Sequence, residues 1–221
     1  MTEYSVSPDG QNFPLPKPQE YDAEFKRIES LVQAARKEGR EIVVVMGVGF
    51  VGAVMAAIIA DTVDKKTKKP SKFVIGCQRP SPRSYWKIPV LNLGRSPVKA
   101  EDPEVDPMIA RCVLEKKTLI ATYNSDCLKL ADCVVVDVQC DYTKHELGNM
   151  RTGTAEMRAL EETMKTIGEK IQPHCLTLIE TTVAPGTTEF VAWPIMKKAF
   201  AARGITSEPL LSHSFERVMP G

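Results

Sequence analysis

The feature that most constrains this chain is a short apolar run that leads directly into a glycine-rich turn. Residues 42–46, Ile-Val-Val-Val-Met, are typical of a strand buried on both faces of a parallel sheet. The turn Gly47-Val48-Gly49-Phe50-Val51-Gly52 has the spacing G-x-G-x-x-G, and an apolar segment at residues 53–60 follows it. A strand, this turn and a helix, in that order, predict the first unit of a Rossmann-type dinucleotide-binding fold.

Each glycine of the turn has a separate predicted role. Gly47 permits the tight turn, Gly49 lets a pyrophosphate approach the backbone, and Gly52 lets the helix pack closely on the strand. The N-terminus of the helix supplies oriented N–H groups and a partial positive charge for the phosphates. We therefore predict that all six turn residues, Gly47, Val48, Gly49, Phe50, Val51 and Gly52, bind the cofactor.

Strands and helices alternate along the rest of the chain. Predicted strands follow at residues 72–76, 118–122, 133–138, 176–180 and 210–211, and further helices at 104–116, 125–130, 154–171 and 187–203. This alternation predicts an α/β fold, a doubly wound parallel sheet of six strands in the order 3-2-1-4-5-6. Residues 1–40 are predicted to be an N-terminal extension with one amphipathic helix, and residues 41–221 the Rossmann domain.

Composition argues against several other classes of protein. A formal net charge of +1 gives no reason to expect nucleic acid or an anionic membrane as a partner. No segment resembles a transmembrane helix or a signal peptide, so we expect a cytoplasmic protein. The six cysteines form no C-x-x-C pair, and we expect reduced, small side chains and no metal site.

The end of the predicted second strand departs from the usual pattern. An acidic residue normally stands there and binds the ribose 2′-hydroxyl of NAD. In this chain Cys77, Gln78 and Arg79 follow the strand, with Arg83 nearby. Gln78 can still hydrogen-bond a hydroxyl, whereas Arg79 or Arg83 can pair with a 2′-phosphate. NAD and NADP both remain candidates, and Gln78 and Arg79 are predicted cofactor-binding residues.

Four segments together resemble the UDP-glucose/GDP-mannose dehydrogenase family. The glycine turn is similar to the family's G-x-G-Y-V-G. Residues 92–98, Asn-Leu-Gly-Arg-Ser-Pro-Val, resemble its N-x-G-K-S-P-I segment, and Asp102-Pro103 stands where Glu-Pro usually follows. Residues 180–188 resemble E-S-T-V-x-P-G-T-T, and residues 214–221 resemble S-P-E-R-V-x-P-G. The last segment looks most like the branch that oxidises N-acetylated hexosamine nucleotides.

The resemblance implies an activity and roles for two residues. The family oxidises the C6 alcohol of a nucleotide sugar twice, each time passing a hydride to a nicotinamide cofactor. A nucleophilic cysteine traps the intermediate aldehyde, and hydrolysis of the resulting thioester gives the carboxylate. Thr182 would lie beside the nicotinamide and help to place a water molecule, and Glu216 would serve as an acid/base or water-positioning group. The substrate would be a nucleotide sugar, and the full-length protein would be a homo-oligomer.

The chain also departs from the family pattern. Where the family reads V-x-T-P after the fourth strand, this chain reads Val138-Gln139-Cys140-Asp141. We interpret Cys140 as a packing residue, because the family's nucleophile belongs to a G-x-C-x-P segment of a second domain that these 221 residues lack. The family's substrate and dimerisation domains are expected outside this sequence, so we expect the 221 residues alone to be inactive.

Two alternatives stay open on the sequence. One is a dinucleotide-binding module without turnover, acting as a subunit or sensor. The other is a different nicotinamide-dependent enzyme, such as a 3-hydroxyacid or 6-phosphogluconate-like dehydrogenase. Those enzymes share the glycine turn but lack the segments at residues 92–98 and 214–221.

Overall fold

The computed structural model describes residues 3–149 and 152–214. Within them, six parallel strands form one sheet in the order β10-β9-β6-β3-β4-β5. Their bounds are β3 (Glu41–Met46), β4 (Lys72–Cys77), β5 (Leu119–Thr122), β6 (Cys133–Val136), β9 (Leu176–Ile179) and β10 (Leu210–His213). The predicted doubly wound sheet and its strand order are confirmed.

Helices cover both faces of this sheet. Their bounds are α1 (Tyr21–Lys37), α2 (Phe50–Asp61), α3 (Lys87–Asn92), α4 (Val105–Ala110), α5 (Arg158–Lys170) and α6 (Trp193–Ala202). A π-helical turn, Thr188–Ala192, leads into α6, and a 3₁₀ helix spans Ser125–Leu130. No helix among the described residues is long and apolar enough to span a bilayer.

The central strand β3 shows why the sheet is buried on both sides. Ile42 and Val44 belong to the core formed with α1, α5 and α6. Val43 and Val45 point the other way, into the core formed with α2 and α4. Because successive side chains of a strand alternate between faces, a continuous run of β-branched residues suits a strand with two buried faces.

The predicted helix of the N-terminal extension is present as α1. Its buried residues are Ile28, Val32 and Ala35, at the spacing of one helix face. Near its end, Arg36 Nη2 donates to Asp132 Oδ1 at 2.8 Å, and Asp132 Oδ2 accepts from the backbone N–H of Ile42 at 2.8 Å. The extension is thus fixed to the amino-terminal edge of the sheet.

Two antiparallel hairpins were not predicted. The first, β1 (Tyr4–Val6) with β2 (Asn12–Pro14), lies in the N-terminal extension, for which only a helix was predicted. The second, β7 (Asp141–Lys144) with β8 (Gly153–Glu156), follows β6. The prediction of a helix from residue 154 is therefore wrong, because residues 153–156 pair with β7 and α5 begins only at residue 158.

The register of the sheet brings all six carboxyl ends to one edge. Met46 is paired with Cys77 and Val136, and Ile179 is paired with Val136 and His213. Cys77 is paired in turn with Thr122 at the end of β5. The residues that follow the strands therefore lie along the same edge: Gly47, Gln78, Tyr123, Asp137, Glu180 and Ser214. Ligands of open α/β sheets bind at this edge.

Candidate dinucleotide-binding site

The first glycine of the turn is required by the backbone. Gly47 has a φ of +99°, a conformation that residues with a side chain rarely adopt. A Cβ at this position would stand 2.5 Å from the carbonyl oxygen of Asp137, which follows β6. The N–H of Gly47 donates to the carbonyl of Cys77 at 2.9 Å. The turn is therefore in direct contact with the ends of both neighbouring strands.

The last glycine of the turn lets helix α2 approach the sheet. A Cβ on Gly52 would stand 1.9 Å from the carbonyl oxygen of Gly47 and 3.1 Å from Asp137 Cβ. No side chain fits at such distances, so the first turn of α2 rests directly on the backbone of Gly47, the residue that follows β3. This contact aims the N-terminus of α2 at the carboxyl edge of the sheet.

The middle glycine faces open space instead. A Cβ on Gly49 would meet no atom within 4 Å, and the φ of Gly49, −85°, is open to any residue. Gly49 is also the N-cap residue of α2, where the helix presents backbone N–H groups. The turn therefore leaves room for a pyrophosphate in the place that a side chain would fill, and the residues present fit a dinucleotide.

Gln78 connects the end of β4 to the same turn. Its Oε1 accepts a hydrogen bond from the backbone N–H of Val48 at 3.0 Å, across 30 positions of sequence. An aspartate or glutamate would accept the same bond, but glutamine also brings amide hydrogens that donate. Gln78 therefore braces the turn and presents a neutral polar group at the carboxyl end of β4.

The two arginines after β4 are placed differently from Gln78. The side chain of Arg79 is 79% exposed, and its Nη1 lies 3.4 Å from Glu162 Oε2 on α5. Arg83 is exposed as well, and its carbonyl accepts from Trp86 Nε1 at 3.1 Å. Arg79 thus forms an ion pair with α5, whereas no ion pair of Arg83 is found within the described residues.

On the far side of the turn, the segment after β9 carries two polar residues of interest. Thr182 is exposed at the carboxyl edge. Glu180 precedes it and is only 9% exposed, and its N–H donates to the carbonyl of Val136 at 3.0 Å. Between them, the hydroxyl of Thr181 lies 2.8 Å from the carbonyl oxygen of Val138 and fixes the segment to the end of β6.

Glu180 is a candidate that the sequence prediction misses, although a signal is present. It is an acidic residue that follows directly on an apolar strand, at the edge where ligands bind. Glu216, the other predicted catalytic residue, lies outside the described residues.

Cys140 has the surroundings of a packing residue. It is half-buried beside Met157, with 3.6 Å between the two sulfur atoms, and its Sγ lies 3.9 Å from the carbonyl oxygen of Glu156. Burial raises the pKa of the Cys140 thiol. A nucleophilic cysteine needs the opposite shift, because the thiolate is the reactive form.

The segment at residues 92–98 makes hydrogen bonds and packing contacts with other parts of the same domain. The side chain of Asn92 donates to the carbonyl of Ala121 at 3.0 Å and accepts from its N–H at 2.7 Å. Gly94 has a φ of +74°, and a Cβ there would stand 2.9 Å from Leu114. The N–H of Ser96 donates to Asp106 Oδ1 at 3.1 Å. These contacts hold α3, α4 and β5 together, so the segment has a structural role.

Comparisons with known proteins agree with this geometry. Residues 41–221 match the family model described as the UDP-glucose/GDP-mannose dehydrogenase family, NAD binding domain. An NDP-N-acetyl-D-galactosaminuronic acid dehydrogenase from Methanosarcina mazei Go1 is 28% identical, with a TM-score of 0.68 over 88% of this chain and 38% of the other. A UDP-D-ManNAc dehydrogenase from Pyrococcus horikoshii is 26% identical, with a TM-score of 0.58 over 81% of this chain and 37% of the other.

A curated relative extends the comparison. Protein CapL of Staphylococcus aureus is 27% identical over 108 residues, which are 49% of this chain and 24% of CapL. The chain thus spans less than two-fifths of the length of each of these relatives. The family match, in contrast, covers the whole sheet and the glycine turn. The chain belongs to the UDP-glucose/GDP-mannose dehydrogenase family, and residues 41–221 are its NAD-binding domain.

Proposed function

We propose that this chain is the cofactor-binding part of a nucleotide-sugar 6-dehydrogenase. The substrate would be a UDP-(N-acetyl)hexosamine or a UDP-hexose, oxidised at the C6 alcohol to the uronic acid with two molecules of NAD. The observation that carries the proposal is the glycine turn, which is packed at Gly47 and Gly52 and open at Gly49. The names of two similar structures, both dehydrogenases of N-acetylated sugar nucleotides, support that branch of substrates.

The residues of the turn would bind and orient the cofactor. The backbone N–H groups at the start of α2 would hold the pyrophosphate, and Gln78 would keep the turn in place while its amide contacts the adenosine ribose. When bound, NAD accepts the hydride that leaves C6 in each of the two oxidations. The chain's own part in that step is to fix the position of the reacting carbon relative to the cofactor.

Residues after β9 and β10 would handle the proton and the water. Each oxidation releases a hydroxyl proton, and the second needs the oxygen of a water molecule to reach the acid. Thr182 follows β9 on the side of the turn opposite to Gln78, so its hydroxyl is a candidate for placing that water. Glu180, buried at the same edge, and Glu216 are carboxylates suited to accept a proton if their surroundings tune them.

Product stoichiometry tests the activity. The full-length protein is incubated with NAD and a panel of UDP-hexoses and UDP-N-acetylhexosamines, and NADH and acidic sugar are both measured. We expect two NADH for each sugar nucleotide consumed, with the N-acetylated sugars preferred. One NADH for each sugar, or no acidic product, would contradict the proposal.

Cofactor preference tests the role of the residues after β4. Gln78 does not repel a 2′-phosphate as a carboxylate would, and Arg79 lies next to it along the chain. Arg79 has to give up its ion pair with Glu162 before it can pair with a phosphate. Titration of NAD and NADP against the same protein decides the point: if NAD binds at least as tightly as NADP, Arg79 and Arg83 have no 2′-phosphate role.

A further inference from the structure

The N-terminal extension reaches the same edge of the sheet as the glycine turn. Residues 3–24, which we name the strap, comprise the hairpin β1–β2, the proline-bearing segment and the first residues of α1. The family match begins only at residue 41, so the strap is an addition to the family domain. Its hydrogen bonds to the domain lie after β4 and after β5, and Asp9 also lies 4.0 Å from Arg95.

The first contact fixes the hairpin to the loop after β4. The hydroxyl of Ser5 donates to the carbonyl of Pro82 at 2.8 Å and accepts from the backbone N–H of Trp86 at 3.1 Å. Ser5 is fully buried, so both hydrogen bonds are shielded from water. This loop carries Gln78 and Arg79 at its start, and its position depends on what holds its far end.

The second contact fixes the start of α1 to the end of β5. The buried hydroxyl of Thr122 donates to Glu24 Oε1 at 2.7 Å, and Asn124 Nδ2 donates to the carbonyl of Tyr21 at 2.8 Å. The rings of Tyr21 and Tyr123 meet edge to face, with centroids 5.0 Å apart. The strap therefore lies across the carboxyl ends of both β4 and β5.

A half-open cavity of about 510 Å³ lies where the strap meets the loop after β4. It is lined by Pro80 of that loop and by six strap residues, Glu3, Leu15, Pro16, Lys17, Pro18 and Tyr21. Pro80 is two residues from Gln78 along the chain, so the cavity includes the loop that begins at the end of β4. Proline, leucine and tyrosine surfaces suit the flat face of a purine, and the volume falls in the range of small-molecule sites.

The order of the strands decides which half of the cofactor would lie there. The glycine turn follows β3, with β4 and β5 on one side of it and β6, β9 and β10 on the other. A dinucleotide bound across this point places its pyrophosphate at the turn and the adenosine ribose at the end of the second strand of the fold, which is β4. The strap lies on that adenosine side, away from Thr182.

We propose that the strap forms one wall of the site for the adenosine half of NAD. This inference rests on the proposed dinucleotide binding. Its two attachments keep the loops after β4 and β5 apart by a fixed distance, and the surfaces of Leu15 and Tyr21 cover one face of the base. The strap thus prepares the adenosine site before the cofactor arrives, which lowers the ordering cost of binding.

Calorimetric titration with AMP, ADP-ribose and NAD tests this wall in the full-length protein. Leu15→Trp fills the cavity, and we expect at least tenfold weaker binding of all three ligands. The matched control is Pro107→Trp, which fills a second depression, of about 420 Å³, beside Gly94. The control should bind all three ligands within twofold of the wild type.

A milder pair of variants guards against misfolding. Glu24→Ala removes the acceptor of the Thr122 hydroxyl, and we expect roughly three- to tenfold weaker AMP binding, the size of one lost hydrogen bond. Asp22→Ala alters an exposed carboxylate on the same helix and should leave AMP affinity unchanged. Thermal unfolding of each variant shows that the comparison is made between folded proteins.

The outcomes separate the two proposals. If the wild type binds NAD but Leu15→Trp and Glu24→Ala bind AMP as the wild type does, the strap has no part in the site and only this inference is overturned. If the wild type binds neither NAD nor ADP-ribose, the proposed function itself is wrong, and the inference falls with it.

Discussion

Two turns of this molecule, at residues 47–52 and 92–98, contain glycines that belong to the motifs of its family. The two turns are packed in opposite ways. In the turn at residues 47–52, Gly49 has no atom within 4 Å of the place of its Cβ. In the turn at residues 92–98, the corresponding space at Gly94 is filled by Leu114, and the side chain of Asn92 pairs with the backbone of Ala121. The first turn leaves space for a ligand, whereas the second is filled by the protein.

The difference shows that a family motif does not by itself mark a site. Both segments contribute to the resemblance, yet only the first has a backbone that a phosphate can approach. The second joins α3, α4 and β5 through its hydrogen bonds, which indicates a structural role. Substitutions in the two turns should therefore separate binding from stability.

Gly52→Ala should have the largest effect, on both properties. The added methyl group would stand 1.9 Å from the carbonyl oxygen of Gly47, so α2 has to move away from the strand. We expect a loss of about 3 kcal/mol in the free energy of unfolding, at the upper end for an overpacked site, together with loss of NAD binding. Denaturant unfolding and calorimetry measure the two; wild-type NAD affinity in this variant would contradict the described packing.

Gly49→Ala should affect binding much more than stability. Its backbone conformation is open to alanine and no neighbour is within 4 Å, so the free energy of unfolding should fall by no more than about 1 kcal/mol, the cost of alanine at an N-cap. The methyl group would stand where the pyrophosphate approaches, and we expect the Kd for NAD to rise about tenfold or more. A Kd equal to that of the wild type would place the phosphates elsewhere.

Asn92→Ala should show the reverse pattern. The variant loses two hydrogen bonds to Ala121, which should lower the free energy of unfolding by about 1–2 kcal/mol. The Kd for NAD should stay within twofold of the wild type, measured by the same titration. If NAD binding weakened while stability did not change, the second turn would have to be reinterpreted as part of the site.

Gln78→Ala should have the smallest effect, because it weakens the first turn without filling it. Loss of the acceptor for the Val48 N–H should reduce NAD affinity about three- to tenfold. Gln78→Glu keeps an acceptor of the same length and serves as the control for this bond. It should bind NAD better than the alanine variant does, but discriminate more strongly against NADP because of its charge. Equal NAD affinity in all three proteins would remove Gln78 from the site.

The parts of the fold that were predictable depend on local sequence. A β-branched run, a glycine turn and an apolar helix occupy about twenty consecutive residues, from β3 to α2. Hydrophobic spacing likewise located α1 and the strands. The alternation of those strands with helices, together with the glycine turn, then predicted the strand order.

The parts that were missed depend on contacts between distant positions. The bond between Glu24 and Thr122 joins residues 98 positions apart, and no local pattern indicates it. The strands β7 and β8 are short and exposed and show no alternation of apolar residues, so the sequence carries no strand signal for them. Residues 154–156 therefore look like the start of a helix, and only their pairing with β7 makes them a strand. The burial of Glu180 also depends on the register between β6 and β9.

The pairing of Asn92 with Ala121 has a consequence for assembly. β5 lies at the outer edge of the described sheet, and exposed edges are places where strands of other molecules add and aggregation begins. The amide of Asn92 occupies both the N–H and the C=O of Ala121, as a neighbouring strand would. One side chain thus terminates the sheet on this side, and a further strand can add at Ala121 only after Asn92 has turned away.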